Sequence, residues 1–549
     1  MLDYSTKINP EQITINFVNV LYDNGWIKNF ISLGQAYNTL SLEAIENKAQ
    51  ANYWKTLHQR AITREGEYKK EIEDLKAKLR LREQQLFGKK TEKSTKKTES
   101  SKETKPAKPR GQQKGSRGHG RTDNSHLPTE VETIDLPSDQ QRCPTCKLPF
   151  KELSITEEST MVTIVEVKAH QRKIRRKKYK PTCHCNDFEI ITAPPVPKLI
   201  PKSKIDIPIW IKILVEKYDY QRPLYRLLKC FRDYGLYLAQ GTITDGLKKI
   251  TNLFLPIYNV IQEKCLEDKH WHADESRWSV FEKVEDKTGY RWYLWVFKSS
   301  QAVIFKIAPS RSSQVARDFF VDTKTGSILS VDRYIAYKVI AKEALLILAF
   351  CWAHVRRDFI SHAKEYPEQE TWTFEWRDLI NELFHINNQR IKHEKDSDTF
   401  INFDSQLRNK IQLMEKKYLA QLDDESTHDK SEKVLESLKN HWDGLTVFVD
   451  YPEIPMDNNA AERQLRNPII GRKNYYGSGS VWSSELSAML FSIFDTLKLW
   501  KINTSGWLSS YLSSCANNGG KSPADVTSFL PWNMEEEQKA KLSRYWDSS

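Results

Sequence analysis

Between residues 269 and 351 the apolar pattern of the chain changes period, and this constrains its fold more than any other feature. "KHWHADESRWSVFE" alternates apolar and polar residues as a half-buried strand does. "GYRWYLWVFKSS" answers it as a hairpin partner, and "AVIFKIAPS" supplies a third strand. A helical stretch follows, "SSQVARDFFVDT", then the strand "GSILSVDRYIAY". Last comes "LLILAFCWAHVRRDF", a buried strand that enters a basic helix. Such a series of strands and helices predicts an α/β unit built on a mixed sheet.

Three antiparallel strands, a helix, a strand, a helix and another strand is the order of the RNase H-like fold. In that order the first and fourth strands lie side by side. Asp274, near the end of the first, then faces Asp332, at the end of the fourth, across one strand spacing of about 4.8 Å. Two carboxylates so close repel unless a cation bridges them or one takes a proton. Mg2+ or Mn2+ suits them, because hard cations choose oxygen and keep water and phosphate as further ligands. Glu462 is the candidate third acid. It stands in "DNNAAERQLRNPIIGRKNYYGSGS", residues 457–480, among Arg463, Arg466, Arg472 and Lys473. It is either a surface acid that spaces its basic neighbours or an acid that grips metal while the arginines meet a DNA backbone. With it, the site can hold two ions roughly 3.5–4 Å apart, one activating the attacking oxygen and one stabilising the leaving oxygen. Each acid alone reads as an ordinary surface residue, and only the combination singles them out.

The rest of the chain supplies the setting. It has 549 residues, enough for several domains, and a net charge of +12. The basic excess is clustered, which favours nucleic acid over other partners. A membrane role is disfavoured, since the longest apolar run, "ALLILAFCWA", falls well short of the ~20 residues of a spanning helix. The N-terminus lacks the plan of a signal peptide. Eight cysteines are too few for a disulfide scaffold, and four of them form two close pairs, which predicts a reducing, cytoplasmic setting. Cys143-x-x-Cys146 and Cys183-x-Cys185 have the spacing of a tetrahedral, structural Zn2+ site, with His184 able to replace either thiolate of the second pair. Buried free cysteines are the alternative.

Residues 88–121 hold twelve Lys or Arg against three acids and no bulky apolar residue. They read as a solubilising linker or as an arm that binds phosphates without reading sequence. A second basic cluster, "KAHQRKIRRKKYK", spans residues 168–180. Further upstream, Tyr68, Ile72, Leu75, Leu79 and Leu86 make a short a/d seam, broken at Arg82. It serves either self-association or packing of a solvated helix on its own domain. Residues 206–268 offer a helix–turn–helix or simply two packed helices.

"WHADES", "SVDRYIAY", "CWAHVRRDF" and "DNNAAERQLRNPIIGRKNYYGSGS" resemble the core of bacterial insertion-sequence transposases of the family numbered 66. The likeness extends over about residues 60–530, with the zipper-like helix ending in "QLFGKKTEK", the cysteine-pair segment and the tail "IFDTLKLWKINTSGWLSSYLSSC". By this resemblance Asp274, Asp332 and Glu462 correspond to the family's acidic triad. The second cysteine pair departs from the family's usual Cys-x-x-Cys. The implied function is metal-dependent cleavage of element ends and transfer of the strand into target DNA, with self-association and accessory proteins of the same element as further partners. A structure-selective nuclease and a catalytically inactive zinc-containing regulator are the alternatives. Arg356, Arg357, Arg463, Arg466, Arg472 and Lys473 are candidate DNA contacts, some of them only solvated charges. His354, Asn458 and Asn459 are candidate auxiliary groups, a satisfied histidine at a helix start being the plainer reading of the first.

The expected architecture is multidomain α/β. A helical region at 1–87 carries the zipper-like helix, followed by a basic linker at 88–127, a zinc-binding domain at 128–195 and a helical DNA-binding or linker region at 196–268. The core occupies 269–362 and 451–500, interrupted by a helical insertion at 363–450 that either scaffolds the core or holds a flipped base or hairpin strand. A tail domain at 501–549 closes the chain.

Overall fold

The computed structural model describes residues 25–87, 145, 148, 169–179 and 191–543, apart from 286, 288 and 322. The cysteine quartet Cys143, Cys146, Cys183 and Cys185 and the basic arm at 88–121 lie outside the described residues. Helix α1 (Gly25–Phe87) belongs to a unit separate from the sheet. Its 63 residues carry Tyr68, Ile72, Leu75, Leu79 and Leu86 as exposed side chains.

In the larger unit, β1 (Lys178–Tyr179) and β2 (Ile191–Thr192) form a small antiparallel pair. Helices α2 (Ile207–Leu214), α3 (Leu224–Asp233), α4 (Gln240–Ile250) and α5 (Leu255–Leu266) lead to the sheet, with one turn of π-helix at Val215–Asp219. The sheet contains β3 (His270–Ser279), β4 (Arg291–Lys298), β5 (Val303–Ala308), β6 (Ile328–Val331) and β7 (Ile347–Phe350) in the order β5-β4-β3-β6-β7. The β3–β4 and β4–β5 pairs are antiparallel; β3–β6 and β6–β7 are parallel. Two antiparallel hairpin strands thus flank a parallel half, whose crossovers are α6 (Gln314–Phe320) and α7 (Ile335–Glu343).

Both faces of such a sheet must be covered. On one, Phe319 and Phe320 of α6 stack against Phe297 and Trp271. On the other, Phe491 packs edge-on to Trp278 and Phe305. Phe491 belongs to α14 (Val481–Leu499), which is buried almost all round. The helices α2–α5, the sheet, α14 and α15 (Thr504–Asn517) contribute to one continuous apolar core. After β7 the chain continues through α8 (Trp352–Glu365), α9 (Glu370–Arg390), α10 (Asp398–Leu422), α11 (Asp429–Lys439) and α12 (Trp442–Asp450) to α13 (Asn459–Tyr475); α16 (Glu536–Ser543) follows α15.

An open sheet edge exposes unpaired backbone groups, and here helices close both edges. At β5, Ser492 and Thr496 of α14 accept hydrogen bonds from the N–H groups of Phe305 (2.8 Å) and Val303 (3.0 Å). At β7, α12 comes so close that a Cβ on Gly444 would sit 2.4 Å from the Phe350 ring and 2.9 Å from the Leu348 carbonyl. Among the described residues no helix is long and apolar enough to cross a membrane.

Candidate active site

The β3–β6 register pairs His272 with Ser330, so two residues further on Asp274 stands level with Asp332, just past the end of β6. Even-numbered β3 side chains share one face, because strand side chains alternate. Helix α13 runs along that face. Its start is fixed by Asn458, a buried residue bonded both to β3 and to the turn between β7 and α8. The Asn458 Nδ2 donates to the Ala273 carbonyl at 2.7 Å, and its backbone N–H donates to Cys351 Sγ at 3.2 Å. Its Oδ1 faces His272 Nδ1 at 3.0 Å. Since the Asn458 amide nitrogen is already donating, His272 must carry its proton on Nδ1. Burial and then His270 pull the His272 imidazole down to about 3, which keeps it neutral. The far end of α13 is tied to the same strand, where Arg472 donates to Ser276 Oγ at 3.1 Å and to the Arg277 carbonyl.

Glu462 lies in the first turn of α13. Asp332 and Glu462 are near enough to Asp274 for their charges to act on it. The Asp274 carboxyl is pushed up to about 8, chiefly by burial, then by Glu275, with Asp332 and Glu462 adding to the shift. Each acid spends one oxygen locally. Asp274 Oδ1 accepts from the Glu275 N–H at 2.9 Å, and Asp332 Oδ1 accepts from the Tyr334 N–H at 2.9 Å. Glu462 Oε1 accepts from an Arg357 amino group at 2.8 Å. Among the described residues, the second oxygen of each acid is left for a ligand.

At the other side of Glu462, His354 Nε2 lies 3.5 Å from Oε1. Burial and the Arg357 charge lower the His354 imidazole, so it stays neutral near pH 7. Cys351, His354 and Glu462 bring their ligand atoms within 4.8 Å of one another. Burial raises the Cys351 thiol, and its sulfur already accepts the Asn458 N–H. A cation held here would have to displace the thiol proton to use Cys351, whereas the His354 nitrogen and the Glu462 oxygens are ready donors. Asn459 is half-buried, and its backbone N–H donates to Asp457 Oδ1 at 3.0 Å.

Three of the basic residues expected at DNA are engaged within the chain. Arg356 donates to Asn381 of α9 at 3.0 Å, Arg357 pairs with Glu462, and Arg472 is tied to β3. Arg463, Arg466 and Lys473 are exposed. Four further residues of the site escaped the sequence reading: Glu275, Arg311, Tyr334 and Tyr337. Glu275 follows Asp274 directly, and its oxygens take hydrogen bonds from Arg311 (2.8 Å) and from the Tyr337 hydroxyl (2.5 Å). Strand alternation contained the signal, since it puts Glu275 on the face opposite Asp274, where a buried acid requires partners.

The family model described as transposase IS66 family matches residues 206–485. Two proteins of Sinorhizobium fredii are similar along much of their length. The uncharacterized protein y4jD is 25% identical over 78% of this chain and 84% of its own. The uncharacterized protein y4hP is 23% identical over 71% of this chain and 73% of its own. No solved structure matches. The matched span carries the sheet, the three acids and the start of α14, and the chain belongs to the IS66 transposase family.

Proposed function

We propose that this chain cuts and joins DNA at an RNase H-like acidic centre formed by Asp274, Asp332 and Glu462. One observation carries the reading: three acids from distant segments share a site, and each has an oxygen to spare. The residues fit a divalent ion, since like charges have accumulated where burial already makes ionisation costly. Two Mg2+ or Mn2+ ions held there would polarise the phosphodiester and ready the attacking and leaving oxygens. Asp274 offers an oxygen from within β3 and not, as the sequence led us to expect, from near its end, because pairing with β4 extends β3 to Ser279. Asp332 offers one from just past β6, and Glu462 one from the helix. Asn458 and His272 hold that helix in place, Arg357 balances Glu462, and Arg463, Arg466 and Lys473 present exposed charge to the DNA backbone. In the first step water attacks a phosphodiester, the P–O bond to the 3′ oxygen breaks, and a 3′-hydroxyl leaves. In the second, that hydroxyl attacks a target phosphodiester and a target hydroxyl departs.

The cysteine quartet remains a proposed structural Zn2+ site, checked by metal content per chain. The exposed seam of α1 is proposed to pair with a second copy, the element's other proteins to assist, and the cytoplasm to be the site of action. The test combines purified full chain, element-end DNA and Mg2+, with Asp274→Ala, Asp332→Ala and Glu462→Ala beside the wild type. Each variant should lose cleavage while keeping most DNA binding, and labelled 3′ ends should report joining. Cleavage that survives all three substitutions would refute the assignment, and cleavage without joining would favour a nuclease.

A further inference from the structure

We propose that Arg311 is a DNA-phosphate ligand of this centre, held beside the acids by Glu275 and Tyr334; the inference rests on the reading of the centre given above. Arg311 stands in the loop after β5. Its guanidinium gives two N–H groups to one oxygen of Glu275, at 2.8 and 2.5 Å. Its flat face lies over the Tyr334 ring, 3.8 Å from the centroid, and the Tyr334 hydroxyl donates to the Arg311 carbonyl at 3.0 Å. Both holders are tied to the acids. Glu275 gives its N–H to Asp274, and Tyr334 gives its N–H to Asp332. The guanidinium is therefore anchored by two residues that stand directly beside the acids in the chain, and its charge interacts with that of Asp332.

Exposure separates the two partners of this ion pair. The Glu275 side chain is 1% exposed and that of Arg311 is 42% exposed. The acid is wholly inside, further fixed by the Tyr337 hydroxyl on its other oxygen. The arginine side chain is part-exposed, and its remaining terminal nitrogen takes no part in the Glu275 contact. A guanidinium has five donors in a fixed fork, and the Glu275 contacts use only the Nε and one terminal amino group. What remains suits a non-bridging phosphate oxygen, which arginine recognises better than a mobile ammonium does. The acids repel an unescorted DNA phosphate, and a cation rigidly fixed at their edge offsets that repulsion without competing for their free oxygens.

The rival explanation is that Arg311 only balances the buried charge of Glu275. Removing both members of a buried pair leaves no orphan charge, so the double variant discriminates. The full chain is compared as wild type, Arg311→Gln, Arg311→Lys, Glu275→Gln and the Arg311→Gln/Glu275→Gln double variant. Mn2+ binding is read by electron paramagnetic resonance, and cleavage of element-end DNA is read across DNA and salt concentrations. Arg311→Gln should bind Mn2+ like the wild type but require roughly ten- to hundredfold more DNA for half-maximal cleavage. Its logarithmic salt dependence should fall by about one. Arg311→Lys should recover part of the loss, and the double variant should stay impaired. A double variant that cleaves like the wild type, or an Arg311→Gln variant with unchanged DNA dependence, would overturn the inference. A wild type that neither binds Mn2+ nor cuts DNA would instead remove the reading of the centre, and this inference with it.

Discussion

Asp274 is a strongly perturbed acid, because burial and then the neighbouring Glu275 penalise its charge, with Asp332 and Glu462 adding to the penalty. Its folded value of about 8 lies far above the ~3.9 of an unfolded chain. The stability it contributes is full below pH ~4 and is lost as pH rises through about 8. The metal-free protein should therefore melt at progressively lower temperature from pH 5 to pH 8. Asp274→Asn should flatten that decline, and Mg2+ should restore stability only to the wild type; scanning calorimetry with chelator and with metal reads all three. An Asp274→Asn melting curve with the wild-type pH slope would contradict it. Asn458 makes a second residue-scale prediction. Asn458→Ala removes two buried side-chain hydrogen bonds, costing about 2–4 kcal/mol in chemical denaturation, and frees the start of the Glu462 helix. Mn2+ affinity should weaken with it. Asp274 stands out in the sequence because it is a charge inside an aromatic strand, Asp332 because it follows an apolar run, and Glu462 because of its basic surroundings. Glu275 was harder to read: strand alternation puts it on the face opposite Asp274, but nothing in one sequence says that this face buries it until its partners are in place. The arginines misled for a similar reason: proximity in sequence does not say whether Arg472 faces solvent or turns back onto Ser276.

At the scale of elements, the strand order was readable from periodicity and from the succession of strands and helices along the chain. How the sheet edges are closed was not. The use of Ser492 and Thr496 as acceptors for β5 depends on a helix nearly two hundred residues away, and hydroxyls in an apolar helix usually bond back to their own turn. Thr496→Val keeps the shape but leaves the Val303 N–H without its partner. It should cost about 1–3 kcal/mol, measured by urea unfolding. A variant as stable as the wild type would mean that this edge needs no closure. Gly444 is a second such case: the β7 edge admits α12 only where a side chain is missing.

For the whole molecule, the net charge of +12 and the exposed Arg463, Arg466 and Lys473 imply DNA affinity that falls steeply with salt. The proposed pairing of α1 with a second copy is testable at its exposed seam. Leu79→Asp with Leu86→Asp should lower the mass seen by light scattering from that of a multimer to that of one chain, whereas unchanged mass would place self-association elsewhere. All of this depends on the acids touching a metal while phosphate reacts. The most direct measurement places a thiol at each position in turn, as Asp274→Cys, Asp332→Cys and Glu462→Cys, and compares strand cleavage in Mg2+ and in Mn2+. Sulfur tolerates Mn2+ far better than Mg2+, so each variant should be inactive with Mg2+ and recover with Mn2+. Equal activity in the two metals, at any of the three positions, would contradict a metal contact there.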